Sequence, residues 1–376
     1  AETECNEKRQ RTEQHISGSE VLKSSNKTTY NGNYGLNAQW TVYNGSKRLK
    51  TIEQEKLNNR VADLDVATSE NDIEQSIAQV YIQILYAAES VKVNENTLQV
   101  SEAQRDRGKQ LLDAGSIARS DYAQLEAQVS TDRYQLVTAQ ATLQGYKLQL
   151  KQLLELDGEQ EMQVYLPALG DENVLSPLPT KTDVFRSAVA LRPEIEASKL
   201  SVEASELGIG IAKSGYLPSV SLTAGIGTNH TSGSDFTFGE QVKNGWNNSI
   251  GLSISVPIFN NRQTKSAVEK AKLQYQTSQL TLLDEQKTLY KTIEGLWLDA
   301  NSAQQRYAAA IEKLHSTQTS YELVSEQFNA GMKNTVELLT EKNNLLQAQQ
   351  ELLQSKYMAI LNTQLLKFYQ GDKITL

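Results

Sequence analysis

A single cysteine, Cys5, stands in the 376 residues, so no disulfide can close within the chain. Thr3-Glu4 ahead of it do not form a lipoprotein cleavage site, and Cys5 reads as an incidental thiol. No run of about 18 apolar residues occurs, which excludes a transmembrane helix but says nothing against barrel strands, whose signal is much weaker. No signal-peptide pattern opens the chain and residue 1 is Ala, so it is expected to start as a processed or truncated product. Basic residues number 37 against 45 acidic, a net charge of −8, and nowhere do they cluster, which argues against a nucleic-acid partner. An aromatic content of 7% and a mean hydropathy of −0.50 are low for one thick core. The apolar residues are Leu, Ile, Val and Ala thinly spread over Gln-, Glu-, Ser- and Asn-rich tracts, a composition of long helices packed side by side.

Catalytic chemistry is equally scarce. His15, His230 and His315 lie far apart, two in expected surface loops and one on a helix, without Cys/His ligand spacing; no metal or other cofactor is expected. Gly208 to Gly215, GIGIAKSG, lacks the order of a phosphate-binding loop and reads as a helix packed closely on a neighbour. There is no Gly-x-Ser-x-Gly elbow, and no enzyme is expected.

What is present is alternation. In Ser249 to Asn260, Ile250, Leu252, Ile254, Val256 and Ile258 alternate with small or polar residues over about ten positions, the length of a tilted membrane strand. Tyr34, Leu36, Ala38, Trp40 and Val42 do the same earlier, as do Val220, Leu222, Ala224 and Ile226. These apolar sets are expected to face lipid, with the Ser, Gly, Asn, Gln and Thr sets lining a wet lumen. Trp40 and Tyr43 suit an interfacial belt. Pro218 and Pro257 fall where strand meets helix and withhold a ladder donor.

Gly251-Leu252 lies 216 residues after Gly35-Leu36, and Asn260 the same distance after Asn44. The chain is a tandem repeat. Val66, Ile73, Ile77, Val80, Ile84, Ala87, Val91, Asn94 and Leu98 follow heptad steps. The residues 216 further on, from Leu282 to Leu314, are apolar or aromatic in the same phase. One helix of roughly 67 residues, ~100 Å at 1.5 Å per residue, is predicted from 46 to 112. Gly115 and Gly331 mark matching turns, after which helices return over 119–156 and 336–369. The predicted segments are a first β-hairpin over 1–45, a long helical hairpin over 46–156, a linker with short helices over 157–216, a second β-hairpin over 217–260, a second long hairpin over 261–370 and a tail over 371–376. The loop from Thr228 to Asn248 is expected to be a solvated connection. The first strand, near residues 1–10, is either degenerate or truncated. Unpaired strands cannot end in lipid, and four are too few to close a barrel, so oligomerisation is required.

Three stretches, 191–225 (LRPEIEASKLSVEASELGIGIAKSGYLPSVSLTAG), 253–260 (SISVPIFN) and 328–353 (FNAGMKNTVELLTEKNNLLQAQQELL), resemble the outer-membrane efflux proteins, the TolC-like channel family. The resemblance implies a mostly α fold with transmembrane β: a homotrimer in which each chain gives four strands to one twelve-stranded barrel. Long coiled-coil hairpins would continue it as an α-barrel through the periplasm of a Gram-negative bacterium, with 157–216 and the C-terminus as an equatorial belt. Its implied partners are a periplasmic adaptor (membrane fusion) protein, an inner-membrane pump of RND or ABC type, and outer-membrane lipid. Its implied function is a passive exit duct for efflux or type I secretion. Gly115, Ser116, Gly331, Met332 and Lys333 match the tips that dock the adaptor. Glu337, with Glu341 nearby and Asp121 in the other repeat, matches an acidic constriction, although Thr340 replaces one family aspartate. The alternative reading is a periplasmic coiled-coil adaptor or scaffold, against which the duplicated hairpins and the amphipathic strands speak.

Overall fold

The structure, a computed structural model, describes residues 28–157, 162–167, 170 and 174–374. Its elements are β1 (Asn31–Asn44), α1 (Lys47–Asp113), α2 (Arg119–Leu153), α3 (Lys181–Leu191), α4 (Pro193–Lys213), a 3-10 turn (Ser214–Tyr216), β2 (Ser219–Thr231), α5 (Phe238–Asn244), β3 (Asn247–Ser255), α6 (Gln263–Asn329) and α7 (Thr335–Gln370). The repeat read from sequence reappears in the elements: α1 and α6 are both 67 residues long and start 216 residues apart, as do α2 and α7. The described residues divide into two compact units, one on those up to 58 and on 202–278, the other on those of 59–201 and from 279 onward.

The first unit carries an antiparallel sheet in the order β1-β2-β3. Its register puts Leu36 opposite Ile226, Ala38 in one row with Ala224 and Ile250, and Trp40 in one row with Leu222 and Leu252. Directly opposed residues share a face, so one side of the sheet is apolar. Asn37, Gly225 and Ser249 share the other, as do Thr41, Ser221 and Ser253. Ile250 is 85% exposed and Trp40 61%, an apolar surface that water does not stabilise. Val220 and Leu222, on the central strand, are half-buried.

Three details differ from the sequence reading. Val42 does not continue the alternation, because the register slips between Thr41 and Tyr43 and Tyr43 stands opposite Val220. An extra residue in a strand leaves the ladder in this way. Val256 lies beyond β3, which ends at Ser255 ahead of Pro257; proline has no N–H with which to extend the ladder. The stretch 228–248 is not all loop: β2 runs on to Thr231 and includes His230, and α5 follows. α5 starts with a capping box in which the Glu240 N–H donates to Thr237 and the Thr237 N–H donates to Glu240. The fourth strand expected near residues 1–10 lies outside the described residues.

The junctions into the long helices rest on left-handed pairs. Gly45 and Ser46 have φ of 66° and 62°, and their counterparts 216 residues on, Asn261 and Arg262, have 49° and 60°. At Gly45 a Cβ would come 2.9 Å from the Ser214 carbonyl, so glycine is required there by space as well as by φ. Pro218 sits between the 3-10 turn and β2, as expected. Gly208 and Gly210 let α4 lie close on the start of α1, where Gln54 Nε2 donates to the Ala204 carbonyl at 2.7 Å. GIGIAKSG is thus a packing surface.

In the second unit the heptad stripes are the core. Val80, Ile84 and Leu150 join α1 to α2. Ile82 and Leu85 pack with Ala303, Tyr307, Tyr357 and Ile360 of α6 and α7. Leu289, Ile293 and Ala300 of α6 meet Val184 and Ala188 of α3, Ile195 of α4 and Leu366 of α7. The linker is pinned by Gln304 Nε2, which donates to the Val174 and Ser176 carbonyls, both at 2.8 Å. Arg192, at the start of α4, stacks between the Phe368 and Tyr369 rings.

Candidate hairpin tips and pore constriction

Each long helix ends in the same hydrogen-bonded turn. The Gly115 N–H donates to Leu112 and the Ser116 N–H to Leu111, at 2.9 and 2.8 Å; Gly331 and Met332 repeat this on Phe328 and Gln327 at the same distances. This is the Schellman pattern, which needs a left-handed residue, and the two glycines have φ of 71° and 75°. Nothing lies within 4 Å of a Cβ added to either, so alanine would be opposed by backbone conformation alone. Gly115→Ala or Gly331→Ala is expected to weaken its tip by about 1–2 kcal/mol. Faster amide exchange at Ser116 or Met332 would register it; unchanged exchange would refute a strained tip.

The acidic candidates sit just past these turns. Asn334 caps α7, accepting the Glu337 N–H at 2.9 Å while its own N–H donates to the Glu337 carboxylate. Lys333 Nζ pairs with Glu337 at 2.5 Å. That bond, then the Asn334 N–H, holds the Glu337 carboxyl below its ordinary 4.5. Asp121 accepts the Ala118 N–H at 3.3 Å at the start of α2, but Ala118 has no side-chain oxygen to return the bond. Glu341 accepts from Ser320 Oγ on α6 at 2.9 Å. The structure therefore places Asp121 and Glu337 in the same first-turn position of the two return helices, each partly occupied in capping. A depressed carboxyl contributes stability that is present above the unfolded value and lost as pH falls through the folded one. Amide protection at 334–338 is expected to fall as the pH drops through and below 4.5, and this pH dependence should vanish in Glu337→Gln.

Between the hairpins lies a constellation the sequence did not reveal. Lys342 of α7 reaches Asp132 of α2 and Ser101 of α1, and all three are buried. Ser101 Oγ also donates to Asp132, whose other oxygen accepts from Gln128 Nε2 at 2.9 Å. Burial pushes the Lys342 ammonium below its ordinary value, and the Asp132 carboxylate draws it part of the way back. Nearer the tip, Leu125, Phe328 and Leu338 form a small core and Gln104 Nε2 donates to the Tyr321 hydroxyl at 2.8 Å. The first hairpin is thereby fastened to the second by both apolar and ionic contacts. Among the described residues no helix is long and apolar enough to cross a membrane, and no cluster of His, Cys, Asp and Glu suits a metal ion.

Comparison with known proteins places this geometry. The sequence model of a family described as outer membrane efflux protein matches residues 3–155 and 184–371. Outer membrane protein TolC of Escherichia coli (strain K12) is 25% identical over 335 residues, 86% of this chain and 66% of its own length. Outer membrane efflux protein BepC of Brucella suis is 24% identical over 294 residues, 78% of this chain and 61% of its own. The chain thus spans less than two thirds of the length of either relative. Among solved structures, one of CusC superposes with a TM-score of 0.77 at 20% identity, covering 94% of this chain and 80% of the other. At that identity the likeness is one of fold.

Proposed function

The chain belongs to the outer membrane efflux protein family, and we propose that it acts as the outer-membrane channel of a tripartite efflux or type I secretion system. In this role it is a passive exit duct set in the outer membrane and extending through the periplasm of a Gram-negative cell. The observation that carries the reading is the two-faced sheet. An apolar surface on one side and a Ser-, Thr-, Asn- and Gln-bearing surface on the other is the wall of a barrel, lipid outside and water within. Three described strands cannot close such a barrel, so further copies of the chain complete it; the family resemblance puts their number at three. The repeat supports this closure, because the apolar heptad positions of the first hairpin recur 216 residues on in the second. A groove of about 500 Å³ along α6 and α7, lined by Arg306, Lys313, Glu351 and Met358 among others, is where a second copy's first hairpin would pack.

In this reading Gly115, Ser116, Gly331, Met332 and Lys333 meet a periplasmic adaptor, which links the duct to an inner-membrane pump of RND or ABC type. Asp121, Glu337 and Glu341, repeated by symmetry, form an acidic constriction favouring cations. The duct itself needs no chemical step: its work is to offer a polar path and a charged threshold. Planar-bilayer recording of the full-length protein tests both parts. Stepwise, cation-preferring conductance is expected, with the preference reduced when Asp121→Asn, Glu337→Gln and Glu341→Gln are combined. Inserted protein without conductance would refute the channel, and unchanged selectivity in the triple variant would refute the constriction.

A further inference from the structure

The connection between β2 and β3 does not project freely from the end of the sheet. The Thr228 hydroxyl donates to the Val242 carbonyl at 2.7 Å, and the Phe238 ring lies 6.3 Å from Tyr34 and 5.0 Å from His230, centroid to centroid. The register decides which face this is. Tyr34 opposes Thr228, Gly32 opposes His230 and Leu36 opposes Ile226, with no slip between Asn31 and Thr41. Residues two apart on a strand share a face, so Tyr34, Thr228 and His230 stand in line with Leu36, Ile226 and Trp40. The connection is folded over the apolar side of the sheet, not over the side that bears Asn37, Ser249 and Thr223. Hydrogen bonds through Gln241 also tie it down. The Thr231 N–H donates to Gln241 Oε1 at 2.8 Å, and Gln241 Nε2 donates to the Phe236 carbonyl at 2.9 Å. Yet Phe236, Phe238 and Trp246 remain 60%, 54% and 55% exposed.

We propose that this connection is a membrane anchor: α5 and its flanking aromatics lie in the interface of the outer leaflet, against lipid. The proposal rests on the reading above that the apolar face of the sheet meets lipid. Continuity with that face is one argument for lipid as the occupant. Length is another. Tyr34 and Tyr43, nine residues apart, are separated by about 30 Å along a strand at ~3.4 Å per residue. With a strand tilt of about 40° this becomes roughly 23 Å, close to the ~25 Å height of a barrel's apolar band. Tyr43, next to the junction with α1, marks the periplasmic rim; the Tyr34–Phe238–His230 cluster then falls at the outer rim, where aromatic side chains favour the headgroup boundary. The polar residues of the connection suit the same depth, with Asp235, Glu240 and Lys243 exposed toward water and headgroups.

Tryptophan quenching separates this from a connection that turns inward. The chain has three tryptophans, Trp40, Trp246 and Trp297. One full-length variant keeps Trp40 alone; another replaces all three by Phe and carries Phe238→Trp. Both are reconstituted in phosphatidylcholine vesicles containing a lipid with a nitroxide just below its headgroup. The expected result is that each loses about half of its emission to the labelled lipid, and that iodide in the water has little effect on the residue at 238. If Trp40 is quenched by lipid while the residue at 238 responds only to iodide, the anchor is refuted and the barrel reading stands. If neither responds to the lipid, the lipid-facing sheet fails and the anchor with it. A Phe236→Trp chain, which leaves the Phe238 contacts intact, repeats the measurement and decides the matter in the same way should Phe238→Trp disturb the fold.

Discussion

Replacing Lys342 by methionine is expected to destabilise the hairpin assembly by about 3–5 kcal/mol, the usual consequence of breaking a buried ion pair from one side. The substitution leaves the Asp132 carboxylate in a site where Ser101 and Gln128 remain its hydrogen-bond donors but its paired ammonium is gone. Removing both charges is a different experiment. Lys342→Met with Asp132→Leu replaces the pair by apolar volume between Leu338 and Leu345, both buried, and is expected to recover most of the loss or to exceed the parent. Urea unfolding followed by circular dichroism measures all three proteins. If single and double variants unfold with the parent, the pair does not form. The pH dependence carries a sign of its own. Because burial lowers the Lys342 pKa from 10.5, the unfolded chain binds more protons than the native one between the two values. Stability from this group therefore rises with pH across that window, and the rise should be absent in Lys342→Met.

The pair also breaks the repeat. Residues 216 away from Lys342 and Asp132 are Glu126 and Ala348, so the second copy of this contact has no ion pair to make. Heptads alone would let one hairpin accept the other in several registers and in either order. A lysine at a core position that finds its carboxylate in only one arrangement selects that arrangement, as polar core residues select register in coiled coils. This gives a reason for keeping a contact that an apolar pair would match in stability.

The helices and the faces of the strands were legible because each is written as a period, and the tandem copy repeated the statement at Ile84 and Ala300, at Gly115 and Gly331. Elements that depend on single side chains were not. Lys342 looked like any charge on a helix, and only its place four residues after Leu338 and three before Leu345, inside the buried stripe, marked it as core. Pro257 was read as the mark of the junction into α6 and no residue was read as the mark of that into α1, whereas both junctions carry left-handed pairs, Gly45-Ser46 and Asn261-Arg262, which periodicity does not register. Seven residues are too few for a helical period to show, so α5 was hidden in its Ser-, Gly- and Asn-rich surroundings. Glu337 and Asp121 were named through a resemblance and not through their capping bonds, which depend on helix starts that sequence places only within a few residues.

The sheet yields the second large effect. Ile250 lies in the row with Ala224 and Ala38, midway between Tyr34 and Tyr43, and so at the expected midplane of the bilayer. Ile250→Arg would put a guanidinium into hydrocarbon at about 2–4 kcal/mol per chain. In an assembly of several chains each contributes that penalty, so the protein is expected to be lost from the outer-membrane fraction, with recovery measured by immunoblot. Ser253→Arg is the control: the same residue on the same strand, but in the row with Ser221 and Thr41 on the polar face. There the charge meets water, so membrane recovery should match the parent while conductance shifts toward anions. Equal recovery of the two variants would mean that the sheet does not divide lipid from water, and the barrel would have to be abandoned along with the duct. A reversed result, with Ser253→Arg lost and Ile250→Arg retained, would turn the sheet inside out. Only a wall with lipid on the Ile250 side predicts the asymmetry in the direction given.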